Sequence, residues 1–382
     1  MGAPAERTGL DGALGRRLRG AAGLAALAGL AWAARDVPAA LGGRLAGARA
    51  ERAARSPQFR DGAFRNPGGT RSMAGAPDRN LIRELIFGKQ KRRPSAPVPL
   101  LRPGAAAPAA DAARELNVVW YGHASALIEI EGSKVLLDPV WSERCSPSTL
   151  VGPRRLHEPP VRLDELPPVD AILISHDHYD HLDMATVQAL TALQSAPFLV
   201  PLGVGAHLDR WGVPAARIVE LDWSESHRVA GLEITATAAQ HFSGRGLRRD
   251  GTLWSSWVVA GAHRKVFYTG DSGYFDGYAE IGERHGPFDV TLMQIGAYDR
   301  AWPGIHMFPE EAVAAHLDLR GGLLLPVHWA TFNLALHDWS EPVDRIWAEA
   351  KARDVRLAVP RPGERVTVDD PPAVDGWWQA VA

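Results

Sequence analysis

Residues 175–183 have the sequence Ser-His-Asp-His-Tyr-Asp-His-Leu-Asp, and this stretch decides the fold. It follows the apolar run Ala-Ile-Leu-Ile at residues 171–174, whose length and branched side chains are typical of a buried strand. We therefore expect three histidines and several carboxylates on a loop at the carboxyl end of a strand. Imidazole nitrogens and carboxylate oxygens are the ligands that zinc, manganese and iron accept.

The spacing of the polar residues in this loop favours two metal ions. His176 and His178 are two residues apart, so in an extended loop they point the same way and can share one metal. Asp180 and His181 point elsewhere and can serve a second metal. The alternative is a solvated histidine-rich loop, which is disfavoured because the rest of the chain supplies further ligands.

The wider sequence resembles the metallo-β-lactamase-fold hydrolases, whose hallmark is His-x-His-x-Asp-His. Further blocks resemble the branch that contains the N-acyl-phosphatidylethanolamine-hydrolysing phospholipase D and the bacterial L-ascorbate-6-phosphate lactonase. They are WYGHA at 120–124, LDP at 137–139, AQHF at 239–242, TGDSGY at 269–274, IGAY at 295–298 and PVHW at 326–329. The phospholipase fits better than the lactonase, through QHF, IGAY and the position of His306 before PEEA at 309–312. The resemblance implies an α/β fold, the four-layer αββα sandwich of the metallo-β-lactamases.

The resemblance also implies two Zn²⁺ ions per chain, with Mn²⁺ or Fe²⁺ as alternatives because every ligand atom is nitrogen or oxygen. The ligands would be His176, His178 and His241 for the first metal, Asp180, His181 and His328 for the second, and Asp271 as the bridge. Such a site keeps a position open for water, which distinguishes a catalytic site from a structural one. A metal-bound hydroxide would attack the substrate, with Asp271 and Asp180 as catalytic residues.

Residues around this ligand set are expected to orient it or to contact substrate. Asp138 would accept a hydrogen bond from a ligating imidazole, or it simply begins a turn before Pro139. Tyr298 and His306 would bind a phosphate oxygen, and His306 would also assist proton transfer to the leaving group. His123 would reach the metal centre from a strand end, or it is a buried structural histidine.

The 382 residues, 46% of them hydrophobic, fit one large catalytic domain with an N-terminal extension. We expect a basic, Ala-rich leader at residues 1–55, an extended strap and linker at 56–116, and the catalytic domain at 117–382. The single cysteine, Cys145, excludes an intramolecular disulfide and a cysteine-based zinc site.

Charge is distributed unevenly along the chain. Residues 1–93 contain 18 Lys and Arg against 7 Asp and Glu, a net +11, whereas residues 94–382 contain 24 and 37, a net −13. This asymmetry predicts an anionic partner for the leader. Anionic lipid headgroups fit better than nucleic acid, because the basic residues lack interleaved aromatics and no nucleic-acid-binding module follows.

Residues 21–34 are free of charge and follow Arg16, Arg17 and Arg19. As a helix they would extend only about 21 Å, against roughly 30 Å of hydrocarbon in a bilayer. They fit an export signal or an interfacial anchor, and the alternative is an Ala-rich leader without such a role. The expected location is the membrane surface, on the cytoplasmic face, with export to the periplasm as the alternative.

The resemblance favours a phospholipase D-type phosphodiesterase that cleaves N-acyl-phosphatidylethanolamine-type lipids to phosphatidate and N-acylethanolamine. The alternative is a metal-dependent lactonase or phosphodiesterase that acts on a small soluble substrate. A non-enzymatic metal-binding protein of the same fold is disfavoured, because all seven ligands are present. A homodimer is compatible with each of these.

Overall fold

A computed structural model describes residues 35–69, 83–84, 87–102, 114–246 and 248–382. Its helices are α1 (Val37–Ala40), α2 (Gly47–Arg55), α3 (Met184–Leu193), α4 (Gly205–Arg210), α5 (Gly277–His285), α6 (Pro309–Asp318) and α7 (Glu341–Ala352). Its first eight strands are β1 (Phe59–Arg60), β2 (Ala63–Phe64), β3 (Leu116–Gly122), β4 (Ser125–Ile130), β5 (Ser133–Leu137), β6 (Ala171–Leu173), β7 (Phe198–Pro201) and β8 (Ile218–Leu221). The others are β9 (Ser226–Val229), β10 (Leu232–Thr237), β11 (Ser256–Ala260), β12 (Lys265–Tyr268), β13 (Phe288–Gln294), β14 (Gly321–Val327) and β15 (Arg365–Thr367).

The strands form two large sheets and a hairpin. The first sheet has seven strands in the order β15-β3-β4-β5-β6-β7-β8, and the second has six in the order β14-β13-β12-β11-β10-β9. In the first sheet β5 to β8 run parallel, as do β12 to β14 in the second, and the remaining neighbours are antiparallel. The hairpin pairs β1 with β2 and lies outside both sheets.

Alternation of side chains along the strands produces the layers. In β4, Ala126, Ile128 and Ile130 join the core shared by the two sheets, whereas Leu127 points into a separate core that contains Val187 of α3. This is the period of two that a strand buried on both faces requires. Helices α3 and α4 therefore cover the first sheet, and α5, α6 and α7 cover the second. The predicted αββα sandwich is confirmed.

Residues 35–69 pack on this sandwich. Ala53 of α2 and Phe64 of β2 are buried in a cluster with Leu253 and Trp254. Arg49 forms an ion pair with Glu220, with 2.6 Å between Nε and Oε2. The sequence showed no periodicity in this part of the leader, so α2 was not predicted. The proposed division at residues 55 and 116 stays a prediction, and residues 21–34 lie outside the described residues.

No helix within the described ranges has the length and apolar character needed to cross a membrane.

Candidate metal centre

The predicted site residues meet at one edge of the sandwich, where several strands end. The loop at 175–183 follows β6, His241 follows β10, Asp271 follows β12 and His328 follows β14. Because the parallel strands of each sheet end on the same side, their terminal loops are neighbours although the residues are distant in sequence. His328, Asp138 and His123 adopt positive φ angles of 66°, 33° and 51°. Such angles are uncommon for residues other than glycine and often occur at functional sites.

Three imidazoles converge on one side of the site. The distance from His176 Nε2 to His178 Nδ1 is 2.8 Å, and that from His241 Nε2 to His178 Nδ1 is 3.3 Å. His176 and His241 are fully buried, and burial lowers the pKa of each well below the ordinary value. Neutral imidazoles with three ring nitrogens directed at one point are the arrangement that binds a divalent metal. These are the three histidines predicted for the first metal.

A second group forms on the other side. His328 Nε2 lies 3.2 Å and His181 Nε2 3.5 Å from Asp180 Oδ2. His123 Nε2 lies 3.0 Å from the same oxygen, so the structure brings His123 into contact with the predicted ligands. The four side chains place one nitrogen or oxygen each within 4.8 Å of one another. Burial lowers the pKa of His123 to about 3, so that its ring is neutral.

Asp271 lies between the two groups. Its Oδ2 is 3.0 Å from His181 Nε2 and 3.1 Å from His328 Nε2, and it is 3.8 Å from Nε2 of both His176 and His241. Burial opposes ionisation of Asp271, yet the imidazoles of His181 and His328 hold the pKa of this carboxyl well below its ordinary value. A buried carboxylate in contact with both groups is suited to bridge two cations.

The hydrogen bonding of two buried polar atoms indicates whether a cation fits between the two ligand groups. Asp271 Oδ1 has no hydrogen-bond partner among the described residues, and His181 Nε2 forms no hydrogen bond of good geometry with them, although it lies 3.0 Å from Asp271 Oδ2. Buried polar atoms are nearly always satisfied, so such exceptions at the centre of a ligand cluster require an explanation. Ions bound between the two groups would satisfy both atoms, and the nitrogen and oxygen donors suit zinc, manganese or iron.

Asp138 orients one of the predicted ligands. It is completely buried, and its Oδ2 lies 2.7 Å from His181 Nδ1. The same carboxylate accepts hydrogen bonds from the backbone N–H and hydroxyl of Ser175 and from the hydroxyl of Tyr268. A carboxylate on Nδ1 fixes the imidazole tautomer and leaves Nε2 as the acceptor that faces Asp271. This geometry fits the predicted supporting role of Asp138 better than a simple turn.

His306 and Tyr298 differ in where they point. His306 Nδ1 lies 3.9 Å from Asp271 Oδ2, and burial lowers the pKa of His306 to about 3. Tyr298 instead donates its hydroxyl hydrogen to Glu341 Oε1 at 2.8 Å, beneath the guanidinium of Arg345. The structure therefore brings His306 to the cluster, whereas the hydroxyl of Tyr298 is bound to α7. A role of Tyr298 in substrate binding stays a prediction.

One residue that the sequence did not reveal supports the site from the strap. Asn66 is buried, and its Oδ1 accepts hydrogen bonds from the backbone N–H of His241 at 2.8 Å and from Trp254 Nε1 at 3.1 Å. It therefore fixes the main chain of a predicted metal ligand 175 residues away. The local sequence Phe-Arg-Asn-Pro-Gly-Gly offered no signal beyond a polar residue before proline.

A cavity of about 280 Å³ opens above the cluster. Nine residues line it. Five of them are apolar: Phe242, Ala297, Trp302, Ile305 and Leu334. The other four are predicted site residues: His178, Asp180, Asp271 and His306. A polar, metal-competent floor under an apolar rim suits a substrate with both a polar reacting group and apolar substituents.

Comparison with known proteins identifies the family and the fold of this chain. The sequence matches the beta-lactamase superfamily domain over residues 133–329. It is 52% identical to an uncharacterized protein of Mycobacterium tuberculosis, over 95% of this chain and 99% of the relative. It is 37% identical to the N-acyl-phosphatidylethanolamine-hydrolyzing phospholipase D 1 of Caenorhabditis elegans, over 63% of this chain and 71% of that protein. The fold is similar to that of a metallo hydrolase from the archaeon Ignicoccus hospitalis, with a TM-score of 0.51 and 22% identity over 66% of this chain and 97% of the other.

Proposed function

Because this chain belongs to the beta-lactamase superfamily and is a metal-dependent hydrolase, we propose that it is a phospholipase D-type phosphodiesterase. Its substrates would be lipids of the N-acyl-phosphatidylethanolamine type, and its products phosphatidate and N-acylethanolamine. The observation that carries the proposal is the position of Asp271 between two ligand groups, at the floor of a cavity with an apolar rim. The 37% identity to the Caenorhabditis elegans phospholipase supports the choice of substrate.

In this proposal, seven side chains hold two zinc ions: His176, His178, Asp180, His181, His241, Asp271 and His328. Two zinc ions at such a site lower the pKa of water towards neutrality and stabilise negative charge on a phosphoryl group. Asp138 keeps the His181 tautomer that leaves Nε2 directed at the cluster, and Asn66 holds the backbone of His241.

His306 is suited to bind the phosphodiester. Its Nδ1 has no hydrogen-bond partner among the described residues, and its ring borders the cavity. The neutral ring carries one N–H, which can donate to a phosphoryl oxygen. In the reaction a water oxygen bonds to phosphorus and the bond from phosphorus to the ethanolamine oxygen breaks. A water proton ends on that oxygen, and His306 is placed to assist this transfer.

A second candidate function is hydrolysis of a small soluble lactone or phosphodiester. The volume of about 280 Å³ favours it, since this is near the lower limit for sites that enclose a small ligand. The apolar rim favours the lipid, because a lactone of a sugar acid would require polar contacts on all sides.

The test is a hydrolysis panel on the zinc-loaded protein with N-acyl-phosphatidylethanolamine, phosphatidylcholine, a cyclic nucleotide and an acyl lactone. Release of N-acylethanolamine with a kcat/KM at least tenfold above that for the other three supports the proposal. Preference for the lactone or the cyclic nucleotide would instead establish the second candidate.

We also propose that the basic leader binds anionic membranes, on the cytoplasmic side. Deleting residues 1–34, which carry four arginines, two acidic residues and the uncharged stretch 21–34, leaves helix α2 in place and should reduce hydrolysis on vesicles far more than hydrolysis of a short-chain soluble diester. Equal losses on both substrates would assign a structural role to the leader, against the proposal.

A further inference from the structure

A basic groove adjoins the cavity of the metal centre. Its volume is about 1220 Å³, and none of the described residues that line it is aspartate or glutamate. Five of the lining residues are basic, and one of them, Arg154, forms an ion pair with Glu143: Lys91, Arg92, Arg93, Arg144 and Arg154. Trp302 and Leu334 line both this groove and the metal cavity, so the two spaces are neighbours separated by these side chains.

The basic side chains of the groove are presented on a fixed backbone. The N–H of Lys91 donates to Asp338 Oδ1 at 2.7 Å, and its carbonyl accepts from the N–H of Trp339 at 2.9 Å. The side chains of Lys91 and Arg93 are exposed, and neither forms an ion pair with a described residue. Arg144 donates to the backbone carbonyl of Gly152 at 2.7 Å. Because a carbonyl carries no net charge, this contact does not neutralise the guanidinium.

Exposed apolar side chains lie next to the groove. Leu150 and Val151 are 41% and 66% exposed and directly precede Gly152, which lines the groove. Phe87 is 75% exposed and precedes Gly88, another lining residue. Large apolar residues exposed beside a concentration of positive charge are typical of surfaces that bind the lipid–water interface.

We propose that this groove and its apolar neighbours are a docking surface for an anionic phospholipid bilayer, an inference that rests on the proposed phospholipase function. A substrate of that class has a single phosphate, which the metal centre binds. The basic groove therefore has no counterpart in the substrate itself, and its charges match the phosphates of neighbouring lipids. Docking there would set the mouth of the metal cavity against the bilayer, and Leu150, Val151 and Phe87 would enter its interfacial layer.

The electrostatic part is tested by vesicle sedimentation of the full chain. Phosphatidylcholine vesicles with one quarter phosphatidylserine are compared with pure phosphatidylcholine vesicles. Lys91→Ala with Arg93→Ala should reduce the partition coefficient on anionic vesicles about 25-fold at low salt, since each basic residue near such a surface contributes roughly fivefold. The matched control, Lys351→Ala with Arg353→Ala, removes two charges at the end of α7 and should bind as wild type does.

The apolar part is tested by Leu150→Ser with Val151→Ser. Binding should fall about tenfold, and this loss should persist at 1 M salt, where the Debye length is only about 3 Å. Unfolding midpoints and zinc content equal to those of wild type establish that the variants are folded.

Vesicle binding equal to wild type in both double variants would overturn the docking surface. Titration with inorganic phosphate alone gives a second arm: phosphate binding that Lys91→Ala with Arg93→Ala abolishes, with vesicle binding unchanged, would make the groove a site for a free anion and also overturn it. Failure of the proposed function is a separate result, because wild-type protein would then dock on vesicles through the groove without releasing N-acylethanolamine.

Discussion

Replacing Asp138 by asparagine tests how the fold supports the metal centre. The carboxylate accepts hydrogen bonds from four donors. An asparagine whose oxygen takes the place of Oδ1 keeps the bond from the Ser175 backbone N–H, but its NH₂ group then replaces Oδ2, which accepts the other three. The hydroxyls of Ser175 and Tyr268 can rotate and become acceptors. The Nδ1–H of His181 can face the new NH₂ only if its proton moves to Nε2, and the nitrogen that faces Asp271 then no longer has a lone pair for a metal.

Two magnitudes follow from this geometry. Loss of a supporting carboxylate of this kind typically lowers metal affinity or activity about 10- to 100-fold. Loss of the buried, charge-assisted bond between Asp138 and His181 should lower the free energy of unfolding by about 2–3 kcal/mol.

The assay is competition with a zinc chelator, combined with thermal unfolding of the zinc-loaded and zinc-free forms. Asp170→Asn is the matched control, because Asp170 Oδ2 accepts a backbone hydrogen bond from Lys134 at 2.8 Å and asparagine can keep that bond. Asp138→Asn with two zinc ions held at wild-type affinity would refute the tautomer reasoning. A loss of affinity in Asp170→Asn as large as in Asp138→Asn would also refute it.

Three further predictions concern the same centre. Protein purified without added metal should contain close to two equivalents of zinc, manganese or iron by elemental analysis, and a fully active form with one equivalent or none would exclude a dinuclear centre. Asp271→Asn should lower kcat at least 100-fold with the fold retained by circular dichroism, because it removes the negative charge shared by both ligand groups; a near-normal rate with two bound metals would show that Asp271 is not the bridge. Asn66→Ala should lower the free energy of unfolding by about 1–3 kcal/mol and weaken zinc binding, because it leaves the buried backbone N–H of His241 without its acceptor, whereas Trp254 Nε1 keeps the carbonyl of Ala239 at 3.0 Å; unchanged zinc affinity would limit Asn66 to a structural role.

Much of the fold could be predicted because its strands carry their own signals. The strands Ser256–Ala260 and Lys265–Tyr268 and the helix Met184–Leu193 begin and end where apolar runs and turn residues predict. Helix α2 was missed because Ala, Gly and Arg show no clear periodicity, and its stability comes from contacts such as that of Arg49 with Glu220. Strand β15 was also missed, since three residues pair with β3 from a distance of about 250 positions.

The sequence by itself determined the chemistry of the centre and the family. Nitrogen and oxygen ligands at His-x-His-x-Asp-His spacing after a buried strand restrict both the metal and the loop that holds it, because those constraints act over a few neighbouring residues. The resemblance already implied that Asp271 bridges the two ligand groups. Only the tertiary structure decided that His123 contacts Asp180 and that the hydroxyl of Tyr298 binds α7. The tertiary structure also assembled the basic groove from three segments, near residues 88–95, 144–156 and 333–336, together with Trp302 and Ala382. The physical reason is that these contacts depend on sheet pairing and on the packing of distant segments, which leave no periodicity in the local sequence to detect.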